Sequence, residues 1–418
     1  MLRVLHTADW HLGHSLHGHS RAHEHAEFLA WLSEVIVAER VDALIIAGDV
    51  FDGANPPTAA LTMYYEFLAT LSRSVPGIDI LVIGGNHDSA SRLNAAEALL
   101  STIGVHVVGG LVQRSGEDAH AVDVQKLVVP LTDADGEVAA IVAALPFMRP
   151  ADLPAVPQIA EDADTLVEGV REAYRQVLEE ARRSKTDKQA LIATGHCYMV
   201  GSQISEMSER RVLGGNQHAL PDTIFPDDVD YVALGHLHKA QRVGRRENVR
   251  YSGSPIPLSM SEESYKHQVL LMDFDGGKLV KRRGLKVPRT TELIRIQGES
   301  LDEILATLEA LDDAHLIDDL ARPYLDVSLM LSSPVVNLRD KIENALVGKR
   351  PNLVKISVTY SGDRKTLSDA HSGQKLADLL PRDVLRRRYL RDYEEEPPEE
   401  LLKAFAELLD GVAQAESQ

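Results

Sequence analysis

Residues 2–11 read LRVLHTADWH, an apolar run that closes on a carboxylate and an imidazole, Asp9 and His11. The same grammar recurs four times. DALIIAGD (42–49) closes on Asp49, and DILVIGGNHD (79–88) on Asn86, His87 and Asp88. QALIATGH (189–196) closes on His196, and DYVALGHLH (230–238) on His236 and His238. Runs of this length and composition predict strands. Strands are expected at 2–9, 42–49, 79–86, 105–109, 138–145, 189–196, 230–235, 249–253 and 267–274. Helical stretches are expected at about 23–40, 58–74, 92–101 and 162–184. The first of these carries Phe28, Leu29, Leu32, Val35 and Ile36 at helical spacing, a core-facing stripe. Alternation of this kind predicts an α/β fold, a layered core of central mixed β-sheets flanked by helices.

Open α/β sheets place their chemistry just beyond the carboxyl ends of their strands. One Asp-x-His there would be an ordinary loop polar; five clusters at the same end of their strands make a site. Carboxylate, imidazole and amide donors without thiolate suit divalent manganese, iron or zinc, and so many donors suit two ions. The amide of Asn86 would lend an oxygen without adding charge, leaving more of the ions' positive charge uncompensated. A glycine precedes Asp49, Asn86, His196 and His236, where a sharp turn out of the strand is expected.

These motifs, in this order, resemble those of the calcineurin-like metallophosphoesterases. LHTADWHLGHSL, AGDVFDGANPP, GNHDS, DYVALGHLHKAQRV and RYSGSPIPLSMSE narrow the resemblance to the SbcD-type nuclease subunits of bacterial SbcCD complexes, closely over residues 1–280. The resemblance implies that one ion takes Asp9, His11 and His238, the other Asn86, His196 and His236, with Asp49 bridging. It implies manganese, and a His87 that faces the scissile phosphate and assists the leaving oxygen, its ring held by Asp88. It also implies 3′→5′ exonuclease and single-strand or hairpin endonuclease activity on DNA. The partner would be an ATPase, SbcC, with two copies of each subunit forming a heterotetramer. Arg21, Asn55, Lys239 and Arg242 match flanking positions and are candidate DNA contacts. One departure stands out. Where archaeal and eukaryotic relatives place a histidine three residues past the bridging aspartate, this chain has Asp52, which puts that histidine's role in doubt here.

The rest of the 418 residues fits such an enzyme. One cysteine, Cys197, excludes an internal disulfide, and no apolar run is long enough to span a membrane, so a cytoplasmic protein is expected. A net charge of −19 argues against a polyanionic substrate only if charge is read globally. Residues 239–289 hold twelve Lys or Arg against five Asp or Glu, a balance of +7, which predicts a basic lip beside His236 and His238.

Three domains are expected. A nuclease domain (1–280) leads through a linker at 281–288 into a small β-α-β-α-β capping domain (290–362). There Ser300-x-x-Glu303 signals a capping box and Asn337 opens a second helix. A helical region (363–418) then carries Leu376, Leu379, Leu380, Leu385, Leu401, Leu402, Phe405, Leu408 and Leu409 at helical spacing. These stripes either fold back on the capping domain or present a surface to another protein, and the resemblance favours the second, with the ATPase as that partner. The chain lacks the Gly-x-x-x-x-Gly-Lys-Ser/Thr loop of nucleotide hydrolases. Two other readings compete: a small-nucleotide phosphodiesterase, which would need nothing past residue 280, and a non-catalytic scaffold, which would have lost ligands.

Overall fold

The computed structural model describes residues 1–111, 122–156, 163–203, 219–313, 321–331 and 335–360, with nine further residues between 385 and 405. Two units result, Met1–Thr359 and Tyr360–Gln418.

The first unit is built on two six-stranded sheets. One runs Lys278–Lys286, Gln268–Asp275, Leu2–Thr7, Ala43–Ala47, Asp79–Ile83, Val105–Val108. The other runs Gln241–Val243, Arg246–Tyr251, Tyr231–Gly235, Ala190–His196, Val138–Ala143, Val128–Thr132. The four strands from Leu2–Thr7 to Val105–Val108 pair parallel, as do the four from Arg246–Tyr251 to Val138–Ala143. Such strands are buried on both faces, which is why they read as unbroken apolar runs. Successive residues alternate between two cores. Val4, Ile45 and Leu81 pack against the second sheet's Val142, Ile192 and Val232, while Leu5, Leu44 and Ile80 pack under the helices Ala22–Glu39 and Thr58–Ser74. A one-residue slip in register would exchange these sets and is therefore excluded. All five motif strands are parallel members, so their carboxyl ends meet at one pole.

Two expectations are corrected. The stretch 281–288 is no linker: residues up to Lys286 continue an edge strand paired antiparallel with Gln268–Asp275. An edge strand is bonded on one side and most of its side chains are exposed, which gives it the composition of a linker. The helix expected at 92–101 is two short pieces, Ala90–Asn94 and Glu97–Leu100. Asn337 opens the helix Leu338–Ala345 as expected, in a left-handed conformation (φ 56°) and without a cap hydrogen bond from its side chain.

The strands Leu293–Gly298, Tyr324–Leu331 and Asn352–Tyr360 form a separate three-stranded sheet with its own apolar cluster, including Ile304, Leu325, Val327 and Ile342. Ser300 accepts from the Glu303 amide (3.2 Å), starting the helix Leu301–Glu309. Leu16 and Met260 of the core meet Leu293, Tyr324 and Val354 of this sheet. In the second unit Leu385, Leu401, Leu402 and Phe405 are helical, whereas Leu376, Leu379, Leu380, Leu408 and Leu409 lie outside the described residues. No described helix is long and apolar enough to cross a membrane.

Candidate metal centre

The first two motif loops leave their strands side by side and continue pairing. Amides of Asp9, His11 and Leu12 donate to the carbonyls of Gly48, Asp49 and Val50 at 2.9–3.0 Å, and the Asp52 amide returns a bond to Leu12 (3.2 Å). This ladder holds Asp9, His11 and Asp49 at positive φ (55°, 48° and 49°), and His236 sits at 104°. Such conformations cost about 1–3 kcal/mol each in a non-glycine residue and persist only where the surroundings over-determine them. Gly48, at φ 89°, makes the sharp turn expected of it. At Gly235 the need is space instead, since a Cβ would collide with the Ala47 carbonyl oxygen.

The remaining loops are tied to these two. Asp9 Oδ1 accepts from the His236 amide (2.8 Å), and Asp49 Oδ1 from the His87 amide (2.8 Å). His196 Nδ1 donates to the Ala47 carbonyl (2.9 Å), turning Nε2 toward Asp49 Oδ2 (3.2 Å) and Asn86 Oδ1 (3.0 Å). His236 Nδ1 reaches the same Asn86 oxygen (3.0 Å). His238 Nδ1 meets Glu262 Oε1 (3.0 Å), and His11 Nδ1 meets Asp52 Oδ1 (3.2 Å). Donor atoms of Asp9, His11 and His238 lie within 4.8 Å of one another, as do those of Asp9, Asp49 and His196. The structure thus brings all seven expected ligands to one pole.

Two atoms test whether this set fits a metal. Asp9 Oδ2 and His11 Nε2 are buried and have no hydrogen-bond partner. Orphaned buried polar atoms of this kind are costly unless something binds them. Both belong to the expected ligand set, so the residues fit divalent ions.

The electrostatics point the same way. Burial lifts the Asp9 carboxyl to about 6. Burial acts on Asp49 too, but the imidazoles of His196, His11 and His87 outweigh it and hold that carboxyl well below its ordinary range. Burial lowers His11 to about 4 and His236 to about 3, so both rings are neutral donors at pH 7. His196 is also buried, yet the Asp49 carboxylate raises it to about 9, a charge that a bound cation would displace.

Asp88 does not hold the ring of His87, contrary to expectation. Its carboxylate accepts from the amides of Val50 (3.1 Å), Phe51 (3.0 Å) and Gly85 (2.9 Å), clamping the second motif loop to the third. The His87 ring is held instead by Asp52, whose main-chain carbonyl accepts from Nδ1 (2.9 Å). The Asp52 carboxylate meanwhile meets both His11 and His14. Burial would raise its carboxyl, but these two contacts hold it below the usual range. Asp52 is therefore a positioning residue for the rings of His11, His14 and His87. Glu262 plays the matching part for His238, and sequence reading missed it. Its only signal was an acidic pair in the SMSEE loop after the Tyr251–Pro255 stretch.

The candidate DNA contacts fare unevenly. Arg21 is fully buried, paired with Glu24, donating to the Pro257 carbonyl (2.8 Å) and stacked on Tyr324 (5.3 Å), so it cannot touch DNA from there. Asn55 is exposed and accepts from Arg92 (2.9 Å). Lys239 is half-buried, its ammonium 5.6 Å from the Tyr265 ring centroid. Arg242, Arg250 and Arg282 converge on Glu247. Arg246 caps the carbonyls of Asp222, Phe225 and Pro226, Arg283 pairs with Glu39, and Lys278 with Asp230. The expected basic lip is therefore divided between two sheet edges, with much of its charge already paired.

Comparison with known proteins agrees with this geometry. Residues 2–240 match the calcineurin-like phosphoesterase family, and residues 289–393 match the type 5 capsule protein repressor C-terminal domain. A relative from Rhodobacter capsulatus, named as the SbcD component of nuclease SbcCD, is 42% identical over 86% of this chain and 87% of its own. Proteins of the same name from Escherichia coli K12 and Bacillus subtilis 168 are 33% and 32% identical, over 99% and 100% of both chains.

Proposed function

The chain belongs to the calcineurin-like phosphoesterases and, within them, to the SbcD nuclease subunits, and from that premise we propose how its metal pole cleaves DNA. It is a metal-dependent DNA nuclease that acts with the ATPase SbcC. We infer two manganese ions, 3′→5′ exonuclease action on duplex ends with endonuclease action at single strands and hairpins, and a heterotetramer with SbcC working in the cytoplasm. The orphaned pair Asp9 Oδ2 and His11 Nε2 is the observation that carries the metal assignment.

Paired divalent ions supply a water acidified toward a pKa of about 7 and a clamp on the attacking and leaving oxygens of an in-line displacement. Asp9, His11 and His238 would hold one ion, Asn86, His196 and His236 the other, and Asp49 both. The protein's own part is positional. Glu262 and Asp52 fix the rings of His238 and His11 through their Nδ1 atoms, which leaves Nε2 as the metal-facing nitrogen. Asp88 fixes the loop that carries Asn86 and His87. His87 donates through Nδ1 to the Asp52 carbonyl, so Nε2 is the nitrogen left to act on the leaving oxygen, to which the doubly protonated ring would pass a proton. We assign residues 290–362 to a cap over the nuclease domain of residues 1–280, and residues 363–418 to SbcC docking. Manganese-dependent cleavage of hairpin DNA, with and without SbcC, tests the reading. Activity with manganese that SbcC alters is expected, and activity undiminished by exhaustive chelation would refute it.

A further inference from the structure

Lys266, Lys286 and Arg289, three cations of the 239–289 stretch, stand apart from the pairs that hold Arg242, Arg250, Arg282, Arg283 and Lys278. They gather on one cavity of about 360 Å³, which Pro255, Pro257, Tyr265 and Glu24 also line. All three are exposed, and none forms an ion pair with a described carboxylate. The Arg289 guanidinium is steadied on the Glu263 carbonyl (2.7 Å). Two carboxylates border the cavity. That of Glu24 is neutralised by the guanidinium of Arg21, which leaves Glu263 against three cations. The volume falls within the range of ligand pockets, about 300–1,000 Å³.

Its location ties it to the metal pole. The Ser254 amide donates to the His238 carbonyl (3.0 Å), and Glu262 holds the ring of His238. The same segment then turns outward, and Glu263, Ser264, Tyr265, Lys266 and His267 line the cavity. Lys239, next after His238, lies over the ring of Tyr265. On the far side Val287, Pro288 and Thr290 lead the chain out of the core toward the strand Leu293–Gly298. One short segment therefore has a metal ligand against one end and a cationic cavity along the other.

We propose that this cavity is a phosphate site for the nucleic-acid backbone, seating a phosphodiester away from the one that is cut. The proposal rests on the nuclease reading above. It replaces the broad basic lip with one defined point of attachment, at the crossing from the nuclease core into the small sheet.

The test uses the full chain in a His87→Ala background, so that DNA persists during the measurement. Binding of labelled duplex is followed by fluorescence anisotropy over a salt series. Combining Lys266→Gln, Lys286→Gln and Arg289→Gln should weaken binding roughly tenfold or more and flatten the slope of log K against log salt by about one for each phosphate no longer neutralised. Metal content and melting temperature should hold, because the three side chains are exposed. Glu263→Gln should move affinity the other way, since it removes the only carboxylate of the cavity left uncompensated. Unchanged affinity and slope in the triple variant would overturn the proposal. So would calorimetric binding of inorganic phosphate that the triple variant loses while duplex affinity stays unchanged, which would mark a small-anion site. A parent chain that binds no duplex either alone or with SbcC would refute the nuclease reading itself, and this site with it.

Discussion

The metal pole and the basic edges are made from similarly polar stretches of sequence, and they differ in what their charges face. At the pole, loop bonds aim Asp9, Asp49 and His11 inward, and two buried atoms are left without partners. Along the edges, Glu247 draws in three arginines, and Arg246 is satisfied by three carbonyls. Buried ligand atoms that lack hydrogen-bond partners and converge with other ligand atoms, as Asp9 Oδ2 and His11 Nε2 do, mark a place where something binds. Satisfied exposed charges mark a surface, and ion pairs of that kind contribute little to stability, at most about 1 kcal/mol.

The largest effect is expected at Asp49. Asp49→Ala should remove both ions and abolish cleavage, because its carboxylate is the one donor proposed to serve both; elemental analysis showing full occupancy would end that assignment. His87→Ala should come next, keeping metal and DNA binding while cleavage falls about 10²–10⁴-fold, as single-turnover kinetics would record. Metal loss in this variant would instead make His87 a ligand. Glu262→Ala should weaken metal affinity about 10–100-fold by freeing the ring of His238, read by titration against a competing chelator. Arg242→Ala should change duplex affinity by less than about twofold, since its charge already faces Glu247. A large loss there would restore the basic lip that the pairing argues against.

Much of the pole was legible in the sequence because its determinants are local. An apolar run fixes a strand, a parallel strand fixes an end, and the next residue or two carry the donor. Asp88 and Asp52 were legible as residues but not as roles. Each acts through bonds to chain more than thirty positions away, Val50 for Asp88 and the His87 ring for Asp52. Arg21 misled for a related reason. Nothing local says that Tyr324, some three hundred residues later, will cover it. The edge strand Lys278–Lys286 looked like a linker because exposure, not disorder, sets its composition. Charge counts along a sequence carry least of all, because pairing across two sheets decides which charges stay free.

The most direct measurement is anomalous diffraction from crystals of the chain loaded with manganese, collected at the manganese edge. Two peaks about 3.5–4 Å apart are predicted, one by Asp9, His11 and His238, the other by Asn86, His196 and His236, with the Asp49 carboxylate between them. A single ion, or a pair seated anywhere but among these seven residues, would contradict the claim that the five strand ends jointly form one two-metal centre.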